Sequence, residues 1–295
     1  MSTRCGFVAL VGAPNAGKST LMNQLLGQKV AIVSPKAQTT RTRILGILTE
    51  GQTQIIFVDT PGMFEASEKF DRAMVQAATS GLSDADQVLF VVDATHPRGK
   101  AFEHAFKRVL QSKRPVSLVL NKIDAMHKNE LLKVVHDLHA RFPFEQIFMV
   151  SALKGDGVTD IRNFLEGVMP ESVWFYPEDQ LSDMTERLLA AEITRESLLH
   201  QLHEEVPHAL WVDTEQFVEA EDGVLEIHQA IIVERETHKK IVLGKQGARI
   251  KEVGTYARRQ MRDVLGRPVR LNLFVKVDEK WRDRPEVYRT MGLEY

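Results

Sequence analysis

Residues 12–19 read GAPNAGKS, and residues 244–247 read GKQG. Both stretches join glycine to lysine, so that backbone N–H groups and an ammonium can converge on phosphate oxygens. The first has the spacing G-x-x-x-x-G-K-[ST] and lies between an apolar run, FVALVG, and a helical pattern, KSTLMNQLLG. There Gly12, Ala13, Pro14, Asn15, Ala16 and Gly17 curl around phosphates, and Lys18 reaches the β- and γ-phosphates. Ser19 and Thr20 open a helix whose N-terminal end favours anions, and the Ser19 hydroxyl suits Mg2+.

Further motifs follow in order. VDTPG supplies Asp59, placed for the metal, and Gly62, whose N–H can meet a γ-phosphate. Between these motifs, QTTRTR holds Thr39 and Thr40; a threonine here can close over Mg2+ while a γ-phosphate is present, and Thr40 is favoured. NKID follows a strand-like run, PVSLVL. The Asp124 carboxylate can accept two hydrogen bonds from guanine and would face an unmatched adenine edge. Asn121 can meet the base and brace the phosphate loop, and the aliphatic stem of Lys122 can cover the ring. In SAL (Ser151, Ala152, Leu153) the Ala152 N–H can meet guanine O6. Every member of this series sits at the carboxyl end of an expected strand, where open α/β sheets bind ligands.

Over roughly residues 5–170 this series resembles the small P-loop GTPases. Many of them place glutamine after D-x-x-G to orient water; this chain has Met63, which cannot do so usefully. In this it is similar to the GTPases with a hydrophobic residue there, the Era-like group among them. In part of that group an asparagine of the phosphate loop helps hold K+, and Asn15 stands at the matching position. Two readings of Asn15 stay open: a K+ site completed by carbonyls of the 34–40 loop, or a residue that merely suits the turn.

GKQG lacks the G-K-[ST] ending, so Mg2+-nucleotide chemistry is not expected there. It resembles the G-x-x-G loop of KH domains, which clamps about four nucleotides of single-stranded nucleic acid. On that resemblance the contacts come from Ile241, Val242, Gly244, Lys245, Gln246, Gly247, Arg249, Ile250 and Lys251, and 2′-hydroxyls favour RNA. The order of the motifs along the whole chain resembles the Era family. The resemblance implies a GTPase switch using GTP, GDP and Mg2+. It also implies binding near the 3′ end of 16S ribosomal RNA, assistance to 30S maturation, a cytoplasmic location and peripheral association with the inner face of the cell membrane. A monomer is expected. Alternatives are a GTPase of tRNA modification or another ribosomal task, with the C-terminal domain as a protein dock, and a non-catalytic RNA-binding scaffold.

Positioning these residues requires two kinds of element. Through residue 170, β-rich runs (FVALVG, RILGILT, TQIIFVD, QVLFVVD, PVSLVLN, QIFMVSA) alternate with helical patterns. Such alternation predicts a doubly wound, mostly parallel α/β sheet. ESVWFYPED breaks it, and Trp174, Phe175 and Tyr176 are expected at an interdomain contact. A long amphipathic helix over 181–202, two strands joined through EDG, a basic helix and the alternating run VRLNLFVKV predict a smaller α+β domain of KH type II-like form. The expected division is a GTPase domain over 1–172, a connector over 173–205 and a KH domain with its tail over 206–295.

The 295 residues carry a net charge of -2, so no global polyanion signal exists. The distribution is uneven. Residues 178–226 hold 14 carboxylates against 2 Lys/Arg, and 235–270 hold 11 Lys/Arg against 3 carboxylates, so the second stretch is a candidate polyanion surface. The single cysteine, Cys5, excludes an internal disulfide and fits a reducing setting. The N-terminal run is too short and interrupted for a signal peptide. His136 with His139, and His200 with His203, have metal-like spacing but no evident further ligand.

Overall fold

The computed structural model describes all residues except Met1, 37–38, 62–69, 77–83, 203–205 and 294. Its Cα packing separates two units: residues 1–31, 40–183 and 291–294, and residues 32–39, 184–290 and 295.

The first unit is built on a six-stranded sheet in the order β2-β3-β1-β4-β5-β6. Its strands are β1 (Arg4–Val11), β2 (Ile44–Glu50), β3 (Thr53–Asp59), β4 (Gln87–Asp93), β5 (Val116–Asn121) and β6 (Ile147–Val150). β2 runs antiparallel to β3, and the other pairings are parallel. Its helices include α1 (Lys18–Leu26), α2 (Lys100–Gln111), α3 (Lys128–His139) and α4 (Val158–Val168). β1, β3, β4 and β5 are buried on both faces, which explains why they read as continuous apolar runs rather than alternating ones. Ala9, Val11, Phe90, Leu118 and Leu120 pack against Phe102, Phe106 and Val109 of α2 and Leu131 and Leu138 of α3.

The segment after α4 departs from expectation. Trp174 and Tyr176 pack on Cys5, Leu45, Ile56 and Val58, and Phe175 stacks on Phe7 at 5.7 Å. Gln54 holds the segment by accepting from the Phe175 and Tyr176 N–H groups, both at 3.0 Å. Ser182 donates to the Leu45 carbonyl at 2.7 Å. These aromatic residues therefore cover the first sheet instead of joining domains, and the division falls at 183/184 rather than 172.

The second unit has a three-stranded sheet, β7 (Leu210–Glu219), β8 (Leu225–Val233) and β9 (Val269–Val277), in that order. β7 pairs antiparallel with β8, and β8 pairs parallel with β9. Its helices are α5 (Glu186–Gln201), α6 (Glu236–Leu243), α7 (Ala248–Leu265) and α8 (Pro285–Thr290). Leu210, Val212, Ile231 and Val233 meet Leu198, Val242 and Val253 in one core cluster, while Ile227, Ile193, Ala257 and Met261 form a second.

α5 is not the amphipathic connector the sequence suggests. Every residue from 190 to 199 is buried, polar ones included, and the helix belongs to the second unit. Most of its buried polar groups find partners inside, although Arg195 Nη1 has no hydrogen-bond partner among the described residues. Arg195 pairs with Glu192 at 2.5 Å and donates to the Thr39 carbonyl, Thr194 donates to Gln229 at 2.6 Å, and Glu196 accepts from the Val33 N–H at 2.8 Å. Buried charge persists only when paired in this way.

Candidate functional site

The first loop follows β1, where Gly17 (φ 94°) precedes α1. A Cβ on Gly17 would lie 2.2 Å from Asn121 Nδ2, so a side chain is excluded by contact as well as by conformation. The first turn of α1 carries no carboxylate and no side-chain cap, leaving its N-terminal donors to an anion. Lys18 is 6% exposed and lies across the loop, donating to the Gly12 carbonyl (3.2 Å) and the Ala13 carbonyl (3.1 Å). Burial pulls its ammonium below the usual lysine range, partly offset by the Asp59 carboxylate. Burial likewise pushes the Asp59 carboxyl above the usual range, against the Lys18 charge and hydrogen bonds from Ser19 and Thr40. Both shifts are those of groups buried short of full charge compensation.

Three oxygens converge beside the loop. Ser19 Oγ donates to Asp59 Oδ2 at 2.6 Å and lies 2.9 Å from Thr40 Oγ1, which donates to the same oxygen at 3.3 Å. Asp59 Oδ1 is buried with no hydrogen-bond partner among the described residues. An all-oxygen set with an orphaned carboxylate oxygen fits a hard divalent cation such as Mg2+. Thr39 instead turns its hydroxyl to the Lys36 carbonyl at 2.7 Å. Gly62 and Met63 lie outside the described residues.

At the other end of the sheet edge, Asn121 closes β5 at 2% exposure. Its Nδ2 donates to the Ala16 carbonyl and its Oδ1 accepts from the Ala152 N–H, both at 2.9 Å. One amide thus links the phosphate loop, NKID and SAL. The Ala152 N–H, expected to meet guanine O6, is engaged by Asn121 in this structure. Asp124 lies in a short 3-10 turn, with Lys154 Nζ 4.0 Å from its carboxylate. Leu153 is 78% exposed, and Ser151 Oγ accepts from the Lys154 N–H at 3.2 Å.

Two of these residues were not read from the sequence. Asp93, at the end of β4 and in register with Asn121, accepts from Lys122 Nζ at 2.6 Å. Burial alone would raise the Asp93 carboxyl, but hydrogen bonds from Lys122 and Thr95 outweigh it and hold it below the usual range. Asp93 thereby fixes the stem meant to cover a base. Its signal was available: an aspartate closing an apolar strand at the ligand edge, in VVDAT. Lys154 has no comparable signature.

In the second unit, KKIVL is the last part of α6 and Gly244–Gly247 is the connection to α7. Gly244 (φ 71°) admits no Cβ, which would meet Arg249 Cβ at 2.7 Å. Lys245 and Gln246 are exposed, as is Ile241 at 39%, while Ile250 is half-buried. Val242 is a correction: it is 0% exposed within the core and does not wall a groove. It points inward because α6 packs that face on the sheet. Arg249 donates to the Ile241 carbonyl at 2.6 Å and so caps the end of α6.

Among the described residues, three non-glycine residues have positive φ: Asn15 (62°), Lys122 (67°) and Gln246 (53°). One stands in each loop selected on chemical grounds. Such backbones cost energy and persist where the surroundings impose them, often at ligand sites. No group of three or more His, Cys, Asp or Glu suited to a metal occurs among the described residues, and His203 lies outside them.

The model of the family described as 50S ribosome-binding GTPase matches residues 7–122, and a KH domain model matches residues 205–282. GTPase Era of Erythrobacter litoralis is 51% identical over 297 residues, spanning 99% of this chain and 98% of that protein. GTPase Era of Afipia carboxidovorans is 51% identical over 293 residues, spanning 99% and 95%. A crystal structure of Era in complex with MgGDPNP and nucleotides 1506-1542 of 16S ribosomal RNA is similar at TM-score 0.92 and 41% identity, over 98% of this chain and 99% of that one. Aquifex aeolicus Era bound to GDP.AlF4- matches with the same TM-score, identity and coverage.

Proposed function

The chain belongs to the Era family of GTPases, and from that premise we propose an RNA-binding switch that hydrolyses GTP, holds 16S ribosomal RNA near its 3′ end and assists maturation of the 30S subunit. The observation that carries the nucleotide half is the convergence of Ser19, Thr40 and Asp59 beside Lys18. The RNA half is supported by the 41% identical relative crystallised with 16S nucleotides, together with the exposed GKQG loop here.

In this reading Lys18 and the loop N–H groups hold the β- and γ-phosphates, and Ser19, Thr40 and Asp59 hold Mg2+, which neutralises charge on the phosphates. Asp124 selects guanine, and Asn121 keeps base and phosphate subsites in register. Thr40 stands beside Ser19 and Asp59, and its hold on Mg2+ depends on the γ-phosphate, so hydrolysis loosens the chain around it. Gly62 presents its N–H to the γ-phosphate. Asn15 has two uses, K+ ligation or accommodation of its left-handed turn. Equal hydrolysis rates in K+ and Na+ at fixed ionic strength would reject the first.

At the second loop, Gly244 and Gly247 allow close approach of an RNA strand, and Lys245, Gln246 and Lys251 contact its backbone, with Ile241 and Ile250 against the bases. Sequencing of RNA crosslinked to the GTP- and GDP-loaded protein tests the whole. Enrichment of the 16S 3′ end that differs between the forms is expected; recovery of tRNA, or of no RNA, overturns it. No helix of the described residues is long and apolar enough to cross a membrane. Peripheral association rests on family resemblance and is checked by vesicle flotation, and the monomeric state by sedimentation.

A further inference from the structure

The loop that leaves β4 carries hydrogen bonds beyond the pair of Asp93 with Lys122. It reads Asp93-Ala94-Thr95-His96. Asp93 divides its two oxygens. Oδ2 accepts from Lys122 Nζ at 2.6 Å, while Oδ1 accepts from the Thr95 N–H at 3.0 Å and from the Thr95 hydroxyl at 2.6 Å. His96 Nδ1 lies 2.7 Å from the same hydroxyl. The Asp93 carboxyl is held below the usual range, so at neutral pH it is ionised and only accepts. The hydroxyl proton therefore points at Asp93, and His96 Nδ1–H is the donor of the other contact. A hydroxyl engaged on both sides has no free rotor.

An aspartate and a threonine two residues apart often do no more than close a turn. Here the arrangement reaches further. The second carboxylate oxygen engages a residue 29 positions along the chain. The Ala94 N–H donates to the Asn121 carbonyl at 2.9 Å, so the loop is joined to NKID at two consecutive residues. Lys122 itself is fixed at both ends, by its left-handed backbone (φ 67°) and by Asp93 at its ammonium. A lysine stem loses more rotamer freedom on ordering than most side chains. Ordering it before a ligand arrives removes that loss from the binding step. The order depends on the plane of the Asp93 carboxylate, and the two donors of Thr95 set that plane.

We infer that Thr95 is a positioning residue of the guanine subsite, holding Asp93 so that the Lys122 stem lies where the face of a purine ring will rest. The inference rests on the reading of Lys122 as the cover of the base. It concerns the face of the ring, whereas Asp124 concerns its edge, and the two differ in consequence. A lost edge contact changes which base is preferred. A loosened cover weakens every purine alike, because every base has a face.

Calorimetry on the full chain, with GDP and inosine diphosphate, separates these outcomes. Inosine lacks the 2-amino group, one of the two donors that Asp124 would accept from. Thr95→Val keeps the shape of the side chain and removes the hydroxyl, and Thr95→Ser keeps the hydroxyl. Thr95 is half-buried in a loop, and Thr95→Ala is a second truncation should valine not fold. Thr95→Val should weaken both diphosphates about threefold, within the range of one net hydrogen bond, and leave their ratio unchanged. Thr95→Ser should bind as the parent does. KM for GTP should rise by the same factor with kcat unchanged, the mark of binding lost equally from ground and transition states. In an Asp93→Asn background Thr95→Val should add nothing, because the two residues act in one chain.

Unchanged diphosphate affinity in Thr95→Val, beside weakened binding by Lys122→Ala, would overturn the inference alone. No effect of Lys122→Ala would remove the reading of Lys122 as a cover, and the inference with it. A changed ratio of GDP to inosine diphosphate, or full additivity with Asp93→Asn, would place the action of Thr95 elsewhere and overturn the inference as well.

Discussion

The two glycine-lysine loops show what embedding does to phosphate recognition. Lys18 is 6% exposed, donates to two carbonyls of its own loop and faces a buried carboxylate. Lys245 is exposed at the surface of its domain, without an ion pair among the described residues. The first loop is tied to NKID and SAL through Asn121; the second is shaped by its own glycines and by Arg249. A buried cradle suits one small ligand and rejects others by leaving polar groups unmatched. An open loop backed by a cationic helix grips a polymer by charge, with strong dependence on salt.

The contrast can be broken at several points. Asp124→Asn should have the largest effect, shifting preference from guanine to xanthine nucleotides. The ratio of affinities, read by calorimetry, should move about 10⁴-fold, as for sites whose polar groups lose their partners. Retained guanine preference would contradict the base assignment. Lys18→Ala should weaken GTP binding and turnover about 10³-fold, since truncating one partner of a buried charge pair costs about 2–5 kcal/mol. RNA affinity of the full chain should change little. Equal losses for both ligands would erase the distinction between the loops.

Replacing Lys245 and Gln246 with aspartate should cost one to two orders of magnitude in RNA affinity by placing like charge against phosphate, roughly 1–3 kcal/mol. Nucleotide affinity should stay within twofold, and tight RNA binding by this variant would refute the clamp. The smallest effect is expected from Asp93→Asn, which frees Lys122 and should weaken guanine nucleotides about three- to tenfold. A pH signature accompanies it. The folded protein holds the Asp93 carboxyl below its ordinary value of about 3.9, so its stabilisation is present above that pH and is lost as pH falls through the folded value. The difference in melting temperature between parent and variant should therefore shrink on acidification below about pH 4. A constant difference would show that charge at Asp93 is immaterial.

Much of the nucleotide site was legible because its residues stand at strand ends in a fixed order. The parallel strands betrayed themselves as continuous apolar runs, and β9 by its alternation. What escaped was set by tertiary pairing. α5 looked amphipathic because Glu192, Arg195 and Glu196 are charged, yet their partners bury them. Trp174 and Tyr176 looked like an interdomain contact because no periodicity tells which sheet an irregular aromatic segment covers. Val242 and Ile241 are neighbours in sequence and equal in hydrophobicity, and only the packing of α6 separates core from surface. Asp93 was missed for a similar reason: its meaning lies in a contact with Lys122, 29 residues later.

Asn121 touches two loops with one planar group, and planarity has a thermodynamic result. Shifting either loop tilts the amide and spoils its other bond, so the two halves of a nucleotide should bind cooperatively. Free nucleoside and free pyrophosphate, supplied separately, should each find a looser protein than the joined molecule does. The affinity of the whole should then exceed what covalent linkage alone provides.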